Sequence, residues 1–335
     1  MRSSLIAGVS GTSLRQSERD FYADARPAGL ILFSRNCESH DQIRALVDDV
    51  KTAVGSDDFL VLIDQEGGRV QRLRPPLGRS LPAAAAYGRV YASDPEVGVL
   101  AAGQVARLMA EDLRALGINC NCAPVLDLPV SGAHEIIGDR AFGTDTAQIE
   151  VLARAVCEGF MAGGVVPVIK HIPGHGRATA DSHLDLPIVD APHDILSRTD
   201  FAPFRALSDM PAAMTAHVVF SSLDAAAPAS VSKVVTKNVM RDEIGFDGLL
   251  MSDDLSMKAL SGPIKSRAAA VIGAGSDVVL HCNGIIDEMV DVASSVPALA
   301  ARPLARFEAA VAHTNTINAF DEGEAIDALT LVLGA

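Results

Sequence analysis

The sequence lacks the features that mark several classes of protein. Its 42 acidic residues outnumber 28 basic ones, and the net charge of −14 argues against a broad basic face that binds nucleic acid. Five cysteines, an odd number in a chain of 335 residues, do not make a disulfide framework. Internal repeats, low-complexity tracts and runs of like charge are absent as well. We therefore expect neither a nucleic-acid partner nor a small cross-linked fold.

Long hydrophobic runs are also missing. No stretch approaches the roughly 18 to 20 apolar residues that cross a bilayer. The first apolar run, residues 5–9, is too short for the core of a signal peptide and is typical of a first strand instead. The sequence therefore predicts a soluble protein without a membrane partner, and we expect it to be cytoplasmic.

What the chain does contain is a series of short apolar runs separated by amphipathic stretches. Strands that alternate with helices pair in parallel, and eight such units favour a single closed (β/α)8 barrel of the TIM type. An open doubly wound sheet is the alternative, although no Gly-x-Gly-x-x-Gly fingerprint follows the first strand. The runs are residues 4–10, 29–34, 59–65, 118–128, 165–171, 212–220, 248–254 and 277–283, and helical patterns cover 41–54, 95–116, 148–162 and 192–208.

The domain organisation predicted from these runs is simple. Hydrophobic residues make up 49% of the chain, which is ample for one large core. We expect residues 1–335 to form a single TIM-barrel catalytic domain, with residues from about 300 to 335 as terminal helices packed on the barrel. We also expect the protein to be a monomer.

Polar residues cluster where the apolar runs end. In a barrel the carboxyl ends of the strands lie on one face, so residues far apart in the sequence are expected to converge around one pocket. This arrangement is typical of an α/β enzyme. The residues concerned are Asp64, Gln65, Glu66, Asp127, Lys170, His171, His217, Asp253 and Asp254.

The end of the fifth run is the richest in titratable groups. Residues 170–176 read KHIPGHG, and Asp181-Ser182-His183 follows soon after. Two residues apart in an extended chain, Asp181 and His183 can touch, and a carboxylate beside an imidazole makes a workable acid and base near neutral pH. The alternative is a turn that leaves His183 exposed.

Asp253 closes the seventh run and is a candidate nucleophile. A carboxylate held rigidly at a strand end suits a nucleophile or an electrostatic stabiliser of positive charge. The alternative is that Ser252, Asp253 or Asp254 caps a helix that begins near Ser256.

Two other chemistries use the same segment. His171, His175 and His183 could hold a metal ion in a metal-dependent barrel hydrolase, although no His-x-His pair ends the first strand. Lys170 could instead form a Schiff base. Neither alternative uses Asp253 together with the Asp181–His183 pair.

Several long motifs occur in one order along the barrel. They are residues 63–72 (IDQEGGRVQR), 123–127 (APVLD), 139–143 (DRAFG), 170–176 (KHIPGHG), 181–183 (DSH) and 252–257 (SDDLSM). In these motifs the chain resembles glycoside hydrolase family 3, in particular its bacterial β-N-acetylhexosaminidase branch, which recycles peptidoglycan.

The resemblance implies a retaining mechanism with a covalent glycosyl-enzyme on Asp253. It also implies that His183, paired with Asp181, is the acid and base, which departs from the usual pair of carboxylates in a glycosidase. The residues implied to bind the sugar are Asp64, Arg72, Arg140, Lys170 and His171. No metal and no cofactor are implied.

The substrate that the resemblance implies is a small sugar. It is β-linked N-acetylglucosamine on 1,6-anhydro-N-acetylmuramic acid, with or without a stem peptide. A glycoside phosphorylase on the same site is an alternative, because a histidine repels phosphate less than a carboxylate does. A sugar-binding barrel without activity is another, but binding alone needs neither Asp253 nor His183.

Overall fold

The structure is a computed structural model that describes residues 1–178 and 186–335. In these residues eight parallel strands close into a barrel in which each strand pairs with its neighbours in the sequence and the last pairs with the first. The predicted TIM-type barrel is confirmed, and each predicted run overlaps one of its strands. The strands are β1 (Ser3–Gly8), β2 (Pro27–Leu32), β3 (Leu60–Ile63), β4 (Cys120–Asn121), β5 (Val166–Ile172), β6 (Ala212–Thr215), β7 (Leu249–Asp254) and β8 (Val278–His281).

The strands are apolar on both faces because both faces are buried. In β3, Leu60 and Leu62 belong to the core inside the barrel, whereas Val61 and Ile63 pack against the surrounding helices. This alternation follows from the two-residue period of a strand, and it explains why the runs are almost continuously hydrophobic. Gly29 shows how tight the interior is, since a Cβ there would lie 2.7 Å from the carbonyl oxygen of Leu60.

Helices surround the barrel, and none in the described part of the chain is long and apolar enough to cross a membrane. The described residues also contain one π-helical segment, Val235–Glu243, and 3-10 turns at Ser34–Asn36, Gly138–Arg140, Ala229–Val231 and His313–Asn315. The α-helices are α1 (Gln16–Ala25), α2 (His40–Val54), α3 (Ala84–Ser93), α4 (Pro95–Arg114), α5 (Thr146–Ala162), α6 (His193–Arg198), α7 (Ala202–Ala206), α8 (Ile264–Ala274), α9 (Ile286–Ala293), α10 (Ala301–Ala312) and α11 (Glu322–Leu333).

Local signals explain where the predicted helices begin. Helix α4 starts at Pro95, whose missing N–H needs no partner in the first turn, and the carboxylate of Asp94 accepts hydrogen bonds from the N–H groups of Glu96 and Val97. Helix α2 starts after Ser39, whose hydroxyl accepts from the N–H of Gln42. These caps satisfy N–H groups that have no partner inside the helix.

The helix expected over residues 192–208 is instead two short helices, α6 and α7. Between them Asp200 is buried, and its carboxylate accepts hydrogen bonds from Arg177 and from the Thr199 hydroxyl. Pro203 then lies in the first turn of α7. The chain breaks here because a proline inside a continuous helix removes a hydrogen bond and clashes with the preceding turn.

Helix α10 closes the amino-terminal end of the barrel. Phe307 is 1% exposed and joins the core inside the barrel together with Leu299. Arg306 and Arg241 each form an ion pair with Asp277, which lies at the start of the eighth run. Helix α11 packs outside, against α4. The opposite, carboxyl end of the barrel is thus left for the site.

Two of the predicted runs leave the barrel before they end. The strand expected over 212–220 stops at Thr215, and Val219–Phe220 pairs instead with Ile188–Val189. Within the run 118–128 only Cys120–Asn121 is a strand. Both departures occur at carboxyl ends of strands, on the side of the barrel where the site lies.

Candidate active site

A cavity of about 320 Å³ opens at the carboxyl ends of the strands. It is lined by residues from β5 and β7 and from the segment after β3. The predicted convergence is confirmed for six of the nine residues, whereas Gln65, Asp127 and His217 do not line the cavity. Asp181 and His183 lie outside the described residues. Among the predicted residues that line the cavity are Asp64, Arg72, Arg140, Lys170, His171, Asp253 and Asp254. Their roles remain predictions.

Lys170 lies between two carboxylates. Its Nζ is 2.9 Å from Oδ1 of Asp64 and 2.6 Å from Oε1 of Glu66. Asp64 also accepts a hydrogen bond of 2.9 Å from Nη2 of Arg72. On the other side, Arg140 donates two bonds of 2.8 Å to the two oxygens of Glu66. These five side chains, which we call the charged floor, form one continuous network.

The charged floor fixes the protonation of its members. Burial alone would raise the pKa of Asp64, but the positive charges of Lys170 and Arg72 hold it well below its usual value. Burial would lower the pKa of Lys170, but Asp64 and Glu66 raise it instead. Lys170 therefore stays a cation. A protonated amine has no lone pair for attack on a carbonyl, which argues against the Schiff-base alternative.

Glu66 was noted in the sequence only as part of a polar cluster, and no role was predicted for it. It lies two residues after Asp64, at the short antiparallel ribbon of Gln65–Gly67 and Val70–Gln71. Gln65 is buried and bonds the backbone of Arg72 and Leu73. The period of two in an extended segment could have assigned Glu66 to the same side as Asp64.

Phe33 is a second residue that the sequence did not single out. It lines the cavity directly after β2. The guanidinium groups of Arg35 and Arg72 lie 4.9 and 5.0 Å from the centre of its ring. Such cation–π contacts hold the Arg72 side chain in place where it meets Asp64.

Asp127 is completely buried and organises the end of β5. Its Oδ2 lies 2.6 Å from Nδ1 of His171, while its Oδ1 accepts hydrogen bonds from the N–H groups of His171 and His175. Burial would raise the pKa of Asp127, but His171 and His175 lower it. An ionised Asp127 accepts a hydrogen from Nδ1 of His171, so it fixes the orientation of that ring.

His175 is not suited to carry a positive charge. Burial and the neighbouring His171 lower the pKa of His175 to about 4, so its ring is neutral at neutral pH. The two rings meet edge to face, with 5.7 Å between their centres.

The metal-site alternative gains no support from the described residues. Among residues 1–178 and 186–335, no group of three or more His, Cys, Asp and Glu side chains is placed to hold a metal ion. His171 bonds Asp127 instead. The third histidine of that alternative, His183, lies outside the described residues.

The two aspartates at the end of β7 have different surroundings. The Asp254 carboxylate accepts hydrogen bonds from the N–H groups of Ser256 and Cys282, each of 3.1 Å. No helix begins near Ser256, and the next one starts at Ile264, so the alternative of a helix cap at this strand end is wrong. Asp254 closes a turn instead.

Asp253 accepts a hydrogen bond of 2.8 Å from the N–H of Asp254. Burial would raise the pKa of Asp253, but its electrostatic interactions with the side chains of His171, His217 and Lys170 and this hydrogen bond lower it. The carboxylate is therefore ionised at neutral pH. It forms no ion pair with any residue that the structure describes.

Sequence comparison finds close relatives of the chain. Residues 5–317 match the model of the glycosyl hydrolase family 3 N-terminal domain. The beta-hexosaminidase of Alkalilimnicola ehrlichii is 41% identical over 283 residues, which are 83% of this chain and 80% of the relative.

Solved structures resemble the whole chain. One is NagZ from Neisseria gonorrhoeae in complex with N-trifluoroacetyl-D-glucosamine, which is 33% identical with a TM-score of 0.86 over 99% of this chain and 97% of its own. Another is a β-N-acetylhexosaminidase from Beutenbergia cavernae, 30% identical with a TM-score of 0.75 over 99% and 95% of the two chains. With the barrel and the lining of its cavity, these matches mean that the chain belongs to glycosyl hydrolase family 3 and is a glycoside hydrolase.

Proposed function

We propose that the chain is a retaining exo-β-N-acetylglucosaminidase that forms a covalent glycosyl-enzyme on Asp253. One observation carries the proposal. Asp64 and Glu66 are neutralised by cations, and the Asp254 carboxylate is held by two backbone N–H groups, whereas Asp253 is ionised, accepts a single backbone N–H and forms no ion pair with the described residues. An ionised carboxylate that faces the cavity without a counterion is available to attack an anomeric carbon.

The charged floor and His171 are proposed to hold the terminal sugar. Carboxylate oxygens of Asp64 accept from hydroxyls, and Arg72, Arg140 and Lys170 donate to hydroxyl or acetamido oxygens. Since Nδ1 of His171 is 2.6 Å from Asp127, its Nε2 is the nitrogen left to meet a hydroxyl. The N-acyl glucosamine bound by the Neisseria relative supports a sugar of this class.

The acid and base is proposed to be His183, paired with Asp181, from the sequence pattern alone. In the first step Asp253 attacks the anomeric carbon, the bond to the leaving oxygen breaks, and the imidazolium of His183 gives that oxygen its proton. In the second step neutral His183 takes a proton from water, water attacks the same carbon, and the ester bond to Asp253 breaks. Each step returns the histidine to the state that the other needs.

The natural substrate is proposed to be β-linked N-acetylglucosamine on 1,6-anhydro-N-acetylmuramic acid, with or without a stem peptide. This follows from the resemblance of the motifs, and the relative named beta-hexosaminidase supports the hexosamine part of it. We further propose that the enzyme acts in the cytoplasm as a monomer, with residues 1–335 as one catalytic domain.

The test measures release of 4-nitrophenol from 4-nitrophenyl N-acetyl-β-D-glucosaminide, with EDTA present, by wild type and Asp253→Asn. We expect the variant to lose at least about 10³-fold in kcat, because the nucleophile is gone. Asp209→Asn, an exposed aspartate that pairs with Arg154, is the matched control and is expected to keep full activity.

Further measurements on the wild type and on Asp253→Asn distinguish the glycosidase from the metal-dependent hydrolase and the phosphorylase. A wild type that EDTA inactivates would indicate the metal-dependent hydrolase, and a rate that rises steeply with phosphate would indicate the phosphorylase. An Asp253→Asn variant as active as wild type would contradict the covalent route. Mass spectrometry after reaction with a 5-fluoro glycosyl fluoride should find the sugar on Asp253.

A further inference from the structure

His217 is a buried histidine that the proposed reaction does not use. It follows β6, is 0% exposed, and is not among the residues that line the cavity. Its Nε2 lies 3.1 Å from the backbone carbonyl oxygen of Asp254, and its Nδ1 lies 2.7 Å from the hydroxyl of Ser230. The histidine therefore connects the end of β7 to the turn Ala229–Val231.

The two partners decide which nitrogen carries the hydrogen. A carbonyl oxygen only accepts, so Nε2 of His217 has to be the N–H that donates to Asp254. In a neutral ring Nδ1 then has a lone pair, and the Ser230 hydroxyl donates to it. Ser230 is itself 0% exposed, and its turn is anchored by a hydrogen bond of 2.8 Å from the N–H of Ala229 to Val218.

The ring is neutral at neutral pH because of its surroundings. Burial lowers the pKa of His217, and the side chain of His171 on β5 acts in the same direction. Asp253 and Asp254 on β7 act in the opposite direction but do not outweigh burial. In this neutral ring the Asp254 carbonyl keeps the hydrogen on Nε2, and the Ser230 hydroxyl donates to Nδ1 and holds the ring in place.

The contact between His217 and Asp254 links the chain after β6 to the end of β7, beyond the point where the backbone pairing of these two strands ends. Backbone pairing between β6 and β7 runs from Leu249 with Ala212 to Met251 with Met214 and ends there. On its other side, the end of β7 is held by the N–H of Cys282, which donates to the Asp254 carboxylate. On the β6 side, the His217 side chain provides the connection.

We propose that His217 is a positioning residue for the nucleophile, with the Ser230 hydroxyl holding the imidazole in its orientation through Nδ1 and the Nε2–H fixing the Asp254 backbone so that Asp253 keeps its place. The inference rests on the proposed function, since it matters only if Asp253 attacks the sugar. Displacing a reacting group by about 1 Å can cost on the order of 10²-fold in rate.

The decisive variant is Ser230→Ala, which removes the hydroxyl and leaves the ring in place. Nδ1 then loses the hydrogen bond that orients the ring, so the Nε2–H is no longer held toward the Asp254 carbonyl. We expect kcat to fall about tenfold at pH 8, with KM within about twofold, because the contact acts on Asp253 and not on sugar binding. Ser276→Ala, another buried serine, is the control and should keep wild-type kcat.

The division of the loss between kcat and KM separates positioning from a general loss of structure. Displacement of Asp253 lowers kcat alone, whereas a disordered site also binds the sugar less well and raises KM. A KM that rises as much as kcat falls in Ser230→Ala would overturn the proposal. So would ¹⁵N NMR spectra in which His217 of wild type carries its hydrogen on Nδ1.

Substitutions of the histidine give an independent readout. His217→Ala should lose about 100-fold in kcat, and His217→Gln, whose amide N–H can donate to the same carbonyl, should recover at least about threefold of that loss. His193→Gln, an exposed histidine that pairs with Glu243, is the control. If kcat is unchanged in Ser230→Ala and His217→Gln while Asp253→Asn is inactive, the positioning role of His217 is wrong and the proposed function stands. If Asp253→Asn stays active, the proposed function has failed.

Discussion

Glu66 and Arg140 meet in a two-point ion pair, although 74 positions separate them in the sequence. Nε and Nη2 of Arg140 each lie 2.8 Å from a different oxygen of the Glu66 carboxylate, and the side chains are only 7% and 11% exposed. The pair joins the ribbon after β3 to the turn Gly138–Arg140. Arg140 therefore faces the cavity in one orientation.

The Arg140→Lys variant should raise KM by about 10-fold to 100-fold, because a lysine cannot make the planar two-point contact. Steady-state kinetics with the 4-nitrophenyl substrate would measure this. Arg154 makes the same kind of contact with Asp209 on the surface, so Arg154→Lys is the matched control and should keep its KM. An unchanged KM in Arg140→Lys would contradict a sugar-binding role for the pair.

Replacing Lys170 by methionine should destabilise the protein strongly. Asp64 and Glu66 would lose their shared cation, and a buried charge left without its partner costs about 3–5 kcal/mol. Urea denaturation would measure the free energy of unfolding. The double variant Lys170→Met/Glu66→Gln should recover part of the loss, because it removes one of the two carboxylates. A loss below about 1 kcal/mol in Lys170→Met, within the range of an exposed pair, would contradict this.

Acid should remove stability that depends on Glu66. The unfolded chain binds a proton at the ordinary pKa of 4.5, but the cations Lys170 and Arg140 outweigh burial and lower the folded pKa to about 2. The contribution, roughly 3 kcal/mol, is therefore fully present above pH 4.5 and is lost as the pH falls toward 2.

The measurement for this prediction is the urea midpoint between pH 6 and pH 2.5 for wild type and Glu66→Gln. The wild type should lose stability more steeply below pH 4.5, since the variant lacks the titrating group. Parallel curves for the two proteins would show that Glu66 is not the group that responds.

Phe307→Ala should destabilise the barrel without changing sugar binding. The ring is 1% exposed inside the barrel, and removing a buried phenylalanine costs about 3–5 kcal/mol. Val290→Ala on the exposed face of α9 is the control and should cost little. Thermal unfolding and KM at low temperature would measure the two effects, and a large rise in KM would contradict the separation of the two barrel ends.

The barrel could be predicted from the sequence because its signals are local. Each apolar run ends in polar residues, and one closed barrel brings those ends together, which located Asp64, Lys170 and Asp253. Contacts between side chains that are far apart in the sequence leave no such local signal. Nothing local links Arg140 to Glu66, and nothing in the run 192–208 announces that Asp200 is buried against Arg177.

The same limit applies to the groups beneath the cavity. The sequence shows His217 only as a polar residue in an apolar run, because its contact with Asp254 depends on where β6 stops. The sequence also predicts that Asp127 lies near a strand end, but its three hydrogen bonds depend on the path of residues 171–175. The pattern of apolar runs predicts which residues lie at one end of the barrel. The packing of the side chains determines which of these residues are in contact.

The helix that closes the barrel has a consequence for synthesis of the chain. Helix α10 follows β8, so every strand leaves the ribosome before Phe307 is available to fill the amino-terminal opening. Until then, the inner side chains at that end have no cover. A nascent chain that ends before α10 therefore exposes apolar surface of the kind that chaperones bind and that drives aggregation.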